Sequence, residues 1–349
     1  MKRMRTIASA LLAFGILSTG IDASAADPVK IRIGWVVAPG ALTTLLFDEG
    51  YRNPAILRHY RKSYTVESTQ FRGSTPQITA LASGQIDIIQ PAFSSLGYAI
   101  ENAKLEDIRV IADLFQDGYG DYLTQAYMVA GDSQIRSVAD LKGKTVGVNA
   151  FGGALDIALQ AMLKKHGMEI NRDYRAIEVQ FTNMVPFLAE HKADLIGMGM
   201  PWMDEVRTKI GGRALFTMKD AVGLTQQIMW AARSGFLGKN KDAMNDFFED
   251  YVRGLHWFFD PANRPKALEL IAKFNKRPVS AYESWVLTRK DYYRDPFAMP
   301  NVEALQANLD LTRDMGILKE KIDVRKYLDL SFALEAKRRL GGGLPAGWR

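Results

Sequence analysis

Histidine, cysteine and serine are the side chains through which this chain would most directly do covalent chemistry, and they are poorly placed for it. His59, His166, His191 and His256 lie far apart, and none falls in a metal-ligating spacing such as H-E-x-x-H. Cysteine is absent, so no thiol nucleophile exists. Ser94-Ser95 follows an apolar run but lacks the flanking glycines of a G-x-S-x-G elbow. Phosphate-loop and dinucleotide fingerprints are missing too. The expectation is no catalytic group, no metal and no cofactor.

Binding chemistry is better provided for. Five stretches gather glycines, hydroxyls, aromatic rings and one cation: Trp35, Pro39 and Gly40; Arg72, Gly73, Ser74 and Thr75; Ala92, Phe93 and Ser94; Phe151, Gly152 and Gly153; Met200, Pro201 and Trp202. Arg72 beside two hydroxyls at a helix start can grip a carboxylate or sulfonate with two parallel bonds. A solvated arginine closing a strand is an equal alternative. Gly152-Gly153 lets backbone N–H groups approach a ligand where the positive end of a helix favours anions. Each of the four rings can enclose an organic body or pack a core, with Phe151 and Trp202 favoured for the ligand because they sit in loops. Asp156, one turn inside the following helix, reads as a helix-end stabiliser or a partner for a cationic ligand group.

Strands alternating with helices must position these loops. Strands are expected at Val29–Trp35, 63–70, 86–89, 108–114, 124–130 and Thr145–Val148. A helix should start at Ser74 or Thr75 as N-cap with Pro76 first inside it, and end at Ser83-Gly84. Another should run over Ala154–Lys165. Short loops between them imply parallel sheets covered on both faces, with ligands beyond the carboxyl ends of strands. After about Ser234 only helices are expected: Lys241–Phe259, Arg264–Phe274, 279–288, 302–315 and 324–337.

The pattern repeats. Gly40-Ala41-Leu42 recurs as Gly153-Ala154-Leu155, and Leu81-Ala82 with Gln85–Ile89 recurs as Leu188-Ala189 with 192–196. His191 then falls in a turn opposite Ser83-Gly84. Two α/β lobes follow, crossed over near 116–121 and again near 226–232. The expected division is a first lobe over 26–120, a second over 121–230, and 231–349 completing the first with C-terminal helices packed on it.

Residues 1–25 read as an export signal: a basic start at Lys2, Arg3 and Arg5, an apolar stretch from Ile7 to Leu17, and a small-residue cleavage site at Ala23-Ser24-Ala25. Cleavage there leaves 42 basic against 38 acidic residues of the original 45 and 39, a net charge of +4. The basic residues are scattered, which argues against nucleic acid. Without cysteine there is no lipid-modified N-terminal residue, so a free periplasmic protein is expected.

The run Ser137-Val138-Ala139-Asp140-Leu141-Lys142-Gly143-Lys144-Thr145-Val146-Gly147-Val148, together with Leu81-Ala82-Ser83-Gly84-Gln85-Ile86-Asp87 and the signal, resembles periplasmic solute-binding proteins of ABC importers. Within these it is most similar to the group handling nitrate, taurine, alkanesulfonates, aromatic acids and thiamine-precursor pyrimidines. The resemblance implies two Rossmann-like lobes joined by two hinge strands, a ligand in the cleft between them, closure on binding, a monomer, and a permease partner in the inner membrane. Family ligand positions map onto Trp35, Pro39, Gly40, Gly73, Ser74, Thr75, Pro91, Ala92, Phe93, Ser94, Phe151, Gly152, Gly153, Met200, Pro201 and Trp202. Relatives carry Gly-Ser or Gly-Thr where this chain has Gly152-Gly153-Ala154, so a hydroxyl is lost. That leans toward a larger organic carboxylate or sulfonate, with an aromatic body fitting the rings. The alternatives are a pyrimidine-binding protein, a pyrimidine-forming enzyme, disfavoured for want of histidine and cysteine in the loops, and a periplasmic sensor.

Overall fold

Apolar and basic residues alternate along β1 (Val29–Trp35), and Ile31 and Ile33 bury inward while Lys30 stays exposed. This strand belongs to a computed structural model that describes residues 27–36, 52–344 and 348. The expected signal, Pro39, Gly40 and the Gly40-Ala41-Leu42 member of the repeat lie outside the described residues. The further strands are β2 (Tyr64–Gln70), β3 (Ile88–Ile89), β4 (Ile108–Asp117), β5 (Ala126–Val129), β6 (Thr145–Val148), β7 (Arg175–Glu178), β8 (Leu195–Met198), β9 (Arg213–Thr217) and β10 (Thr225–Arg233).

They form two five-stranded sheets, ordered β2-β1-β3-β10-β4 and β7-β6-β8-β5-β9. The first three strands of each sheet are parallel. The fourth, β10 or β5, runs antiparallel to both neighbours. The sheets are thus mixed where the alternation of strands and helices implied parallel ones, because each fourth strand arrives from the other lobe rather than through a helix. Two Rossmann-like α/β lobes result, joined where β4 leads to β5 and where the chain returns to β10.

The internal repeat has a structural counterpart at single atoms. Asp87 accepts the Arg32 backbone N–H at 2.9 Å in the first lobe, and Asp194 accepts the Thr145 N–H at 2.9 Å in the second. In the turn before each aspartate the backbone is left-handed, with φ +72° at Gly84 and +54° at His191. His191 is exposed and pairs with Asp132 at 3.3 Å, a turn residue as expected.

Helices cover the sheets: α1 (Ser74–Ala82), α2 (Phe93–Glu101), α3 (Ala154–Lys165), α4 (Met184–Ala189), α5 (Trp202–Ile210), α6 (Met218–Val222) and α7 (Ser234–Lys239), then α8 (Lys241–Phe259), α9 (Arg264–Phe274), α10 (Ser280–Glu283), α11 (Val302–Asp314) and α12 (Ser331–Arg339). On α8, Met244, Phe247, Phe248, Tyr251 and Leu255 bury at helical spacing. Trp230 of β10 meets Phe247 and Tyr251 edge-on at 5.8 and 5.2 Å, and Phe332 of α12 stacks on Phe248. Each such ring contributes roughly 1.5–3 kcal/mol on burial, which fixes the C-terminal helices on the first lobe. Among the described residues no helix is long and apolar enough to cross a membrane.

Three expected helices differ. Gly73, not Ser74 or Thr75, caps α1, and Pro76 is its third residue. The reason is that both hydroxyls are turned to other acceptors, Gln90 O and Phe151 O. The helix expected over 279–288 shrinks to α10, since Leu287 takes φ +59° and ends it in turns. That over 324–337 splits into a single 3-10 turn (Val324–Tyr327) and α12, because Leu328 bridges to Val110 at the sheet edge and Asp329 N–H bonds Val110 O.

Candidate functional site

The carboxyl ends of β1 and β3 and the starts of α1, α2 and α3 meet between the lobes. There lies a cavity of about 580 Å³. The first lobe lines it with Val36, Ser74, Gln90 and Ala92, and the second with Asn149, Gly153, Ala154, Leu155 and Phe181. The two crossings supply its floor: Leu114, Phe115, Gln125, Gln227 and Ile228. Helices of nine, nine and twelve residues therefore point their N-terminal N–H groups at one space, which favours a negatively polarised ligand group. No lysine, arginine or histidine is among these lining residues.

Gln90 is the most informative of them. It is 2 % exposed, its backbone N–H is held by Gln77 Oε1 at 2.8 Å, and its Nε2 is buried without a partner. Such a donor costs roughly 1–3 kcal/mol unless something accepts from it. By contrast the floor amides are occupied. Gln227 Nε2 donates to Gln125 Oε1 at 3.0 Å, Thr225 Oγ1 donates to Gln227 Oε1 at 3.2 Å, and Gln125 Nε2 donates to the Tyr292 hydroxyl at 3.1 Å. Asp117 ties the first crossing by accepting from Thr124 Oγ1 at 2.6 Å and Gln125 N at 2.8 Å. Asp113 accepts from Gln226 Nε2 at 2.6 Å and Asp295 N at 3.0 Å. Burial pushes both carboxyls up to about 7 in spite of these bonds.

Of the residues singled out in sequence, Ser74, Ala92 and Gly153 line this cavity. Gly73 caps α1 beside it. Thr75, Ser94, Phe151 and Gly152 join the lobes instead: Ser94 Oγ donates to Gly152 O at 2.9 Å, and Thr75 Oγ1 to Phe151 O at 3.4 Å. Gly152 sits at φ +72° with the Tyr98 ring where a Cβ would be, so another residue there would clash as well as strain. The Phe151 side chain stands 44 % exposed at the rim. Phe93 is core, Trp35 is buried against Phe274, and Met200 is buried. Trp202 stacks on Phe181 at 4.7 Å and so approaches the cavity through it, with Pro201 as its N-cap. The Arg72 side chain is exposed and outside the lining. Asp156 spends Oδ2 on Gly152 N at 2.8 Å, bracing the turn before α3, and burial raises its pKa.

Sequence reasoning missed Gln90, Gln125, Gln227 and Phe181. Gln90 stands immediately before Pro91 at a strand end, which was a usable signal, whereas the two floor glutamines depend on where the crossings meet.

The sequence model of the family described as NMT1/THI5 like matches residues 65–264, more than half of the chain. Among solved structures, the alkanesulfonate-binding protein SsuA from Xanthomonas axonopodis pv. citri, bound to MOPS, aligns with TM-score 0.68 and 18 % identity, over 88 % of this chain and 100 % of that one. The periplasmic nitrate-binding protein NrtA from Synechocystis PCC 6803 aligns with TM-score 0.69 and 15 % identity, over 91 % of each chain. The desulfurization enzyme DSZB aligns with TM-score 0.64 and 14 % identity, over 89 % of this chain and 99 % of that one. The architecture is therefore that of bilobed periplasmic binding proteins, one that an enzyme also uses, and by its sequence match the chain belongs to the NMT1/THI5-like family.

Proposed function

We propose that this chain is the periplasmic substrate-binding component of an ABC importer, capturing a small organic carboxylate or sulfonate and delivering it to a permease. It acts as a monomer after export, with lobe 1 and lobe 2 closing on the ligand, the expected boundary at 230 moving back to about 224 so that β10 stays whole in lobe 1. The observation that carries this reading is the unpartnered Gln90 Nε2, buried where three helix N-termini converge. An acceptor-rich head group satisfies it, while Phe115, Phe181, Leu114 and Ile228 receive an apolar body. Closure is a population shift driven by contacts that exist only when both lobes touch the ligand. A dissociation constant on the order of micromolar, about −8 kcal/mol, is within reach of such a site. The absence of cysteine, and of histidine from the lining, argues for binding without turnover.

A second reading has one observation in its favour. Among the described residues, four carboxamides, those of Gln90, Gln125, Asn149 and Gln227, and no cation line the cavity, which also suits a neutral pyrimidine. Native mass spectrometry of the protein purified without refolding, followed by titration of carboxylates, sulfonates and pyrimidines against tryptophan fluorescence, separates the two. Saturable binding of acids alone supports the first reading, of pyrimidines alone the second; silence across all three classes overturns both.

A further inference from the structure

The cationic groups missing from the cleft gather behind the first crossing. There a separate cavity of about 770 Å³ is walled by Tyr122 of the crossing, Phe259 at the end of α8, Arg264 at the start of α9, Arg289, Arg294 and Trp348. Two of the arginines have counter-ions: Arg289 pairs with Asp121 at 3.0 Å and Arg294 with Asp291 at 3.3 Å. Arg264 does not. Its guanidinium is steered by two carbonyls, Glu283 O at 2.7 Å and Val286 O at 3.1 Å. No carboxylate of the described residues pairs with it, and its Nε is buried with no acceptor. The acid in the wall, Asp260, is spent on capping its own turn through Ala262 N. A guanidinium in this state favours an oxyanion, which neutralises it through the edge that the two carbonyls leave open.

Around that head-group position the wall is aromatic. Trp348 packs on Phe259 at 4.5 Å, Arg294 lies over the Phe259 ring at 5.8 Å, and Arg289 lies over Tyr122 at 4.7 Å. Rings already faced by cations add to the attraction for a flat, anionic guest. We infer that this cavity is a second binding site, taking an aryl carboxylate or aryl sulfonate, with Arg264 and Arg289 on the head group and Trp348 beside the ring. It shares no lining residue with the cleft, so it stands or falls independently of what the cleft binds.

Benzenesulfonate and benzoate are the probes, read by the indole N–H signals of the six tryptophans in a proton–nitrogen NMR spectrum, with the Trp348 signal assigned by Trp348→Phe. Saturable movement of the Trp348 signal is expected, weakened about tenfold in Arg264→Gln, as for loss of one charge-assisted bond. Arg289→Gln should weaken it severalfold. Gln90→Leu, which alters only the cleft, should leave it unchanged. No saturable Trp348 shift at about 20 mM probe, roughly the weak end of specific binding, overturns the site. So does equal affinity in both arginine variants, or loss of the shift in Gln90→Leu. Should Arg264→Gln fail to fold, Arg289→Gln decides alone, because Arg289 is half-exposed and its removal leaves the fold intact.

Discussion

Gln90 and Arg72 make opposite predictions from neighbouring loops. Gln90→Leu removes a lining donor that is buried without a partner, so affinity for the cleft ligand should fall by about 1–3 kcal/mol while the melting temperature holds or rises. Arg72→Ala should change affinity less than about twofold, since the side chain is exposed and only a lost charge-assisted bond would cost more. Calorimetric titration of both variants checks this, and a large loss in Arg72→Ala would restore that residue as the anion grip. At this scale the sequence was only partly legible. Ser74, Ala92 and Gly153 could be read because a strand end leading into a helix start is a local pattern. Gln125 and Gln227 could not, because two residues a hundred positions apart meet only after both crossings are in place. Ser94 and Thr75 looked like ligand hydroxyls for the same reason: nothing local shows that the Phe151-Gly152 carbonyls arrive to take them.

At the scale of elements, the α1 and α2 starts and the loop before α3 form a clasp between lobes. Ser94→Ala deletes its shorter bond, worth about 1 kcal/mol, and should speed ligand release about fivefold in stopped-flow fluorescence, with a drop of only about 1–3 °C in the melting temperature. The crossings carry a second expectation. Asp113 and Asp117 hold protons up to about pH 7 in the folded protein, whereas an unfolded chain releases them near 4. The folded state therefore binds more protons than the unfolded one between these limits, and stability must fall as pH rises through that window. Melting temperatures should decline from about pH 4.5 to 7.5, and Asp113→Asn with Asp117→Asn should flatten the decline. Most elements were legible from period and punctuation, down to the bounds of β1, β6, α3, α8 and α9. Those that failed, over 279–288 and 324–337, were interrupted by contacts with the sheet edge or by a left-handed residue that no periodicity reveals.

For the whole molecule, the separation of charge from the cleft sets how it responds to salt. A cavity with no cation among its described lining residues gains little from long-range steering, so the cleft dissociation constant should vary less than about twofold between 20 and 300 mM sodium chloride. Binding in the arginine-walled cavity should weaken severalfold over the same range. Titrations at both ionic strengths separate the two cavities without any mutation.

The strand orders carry a consequence for how the chain comes to be folded. All five strands of the second sheet lie between Ala126 and Thr217, while among the described residues β4 pairs with no strand but β10. The β4 backbone thus waits, with both edges unmatched, until the entire second lobe has passed and the chain has come back, first as β10 and then as the segments at Tyr293, Ala298 and Asp329 that bond its outer edge. Non-local closure of that kind is slow, so refolding followed by pulsed hydrogen exchange should show amides of β5, β6 and β8 protected before those of β4. The hinge that later governs capture is, on this view, among the later seams of the molecule to be sewn.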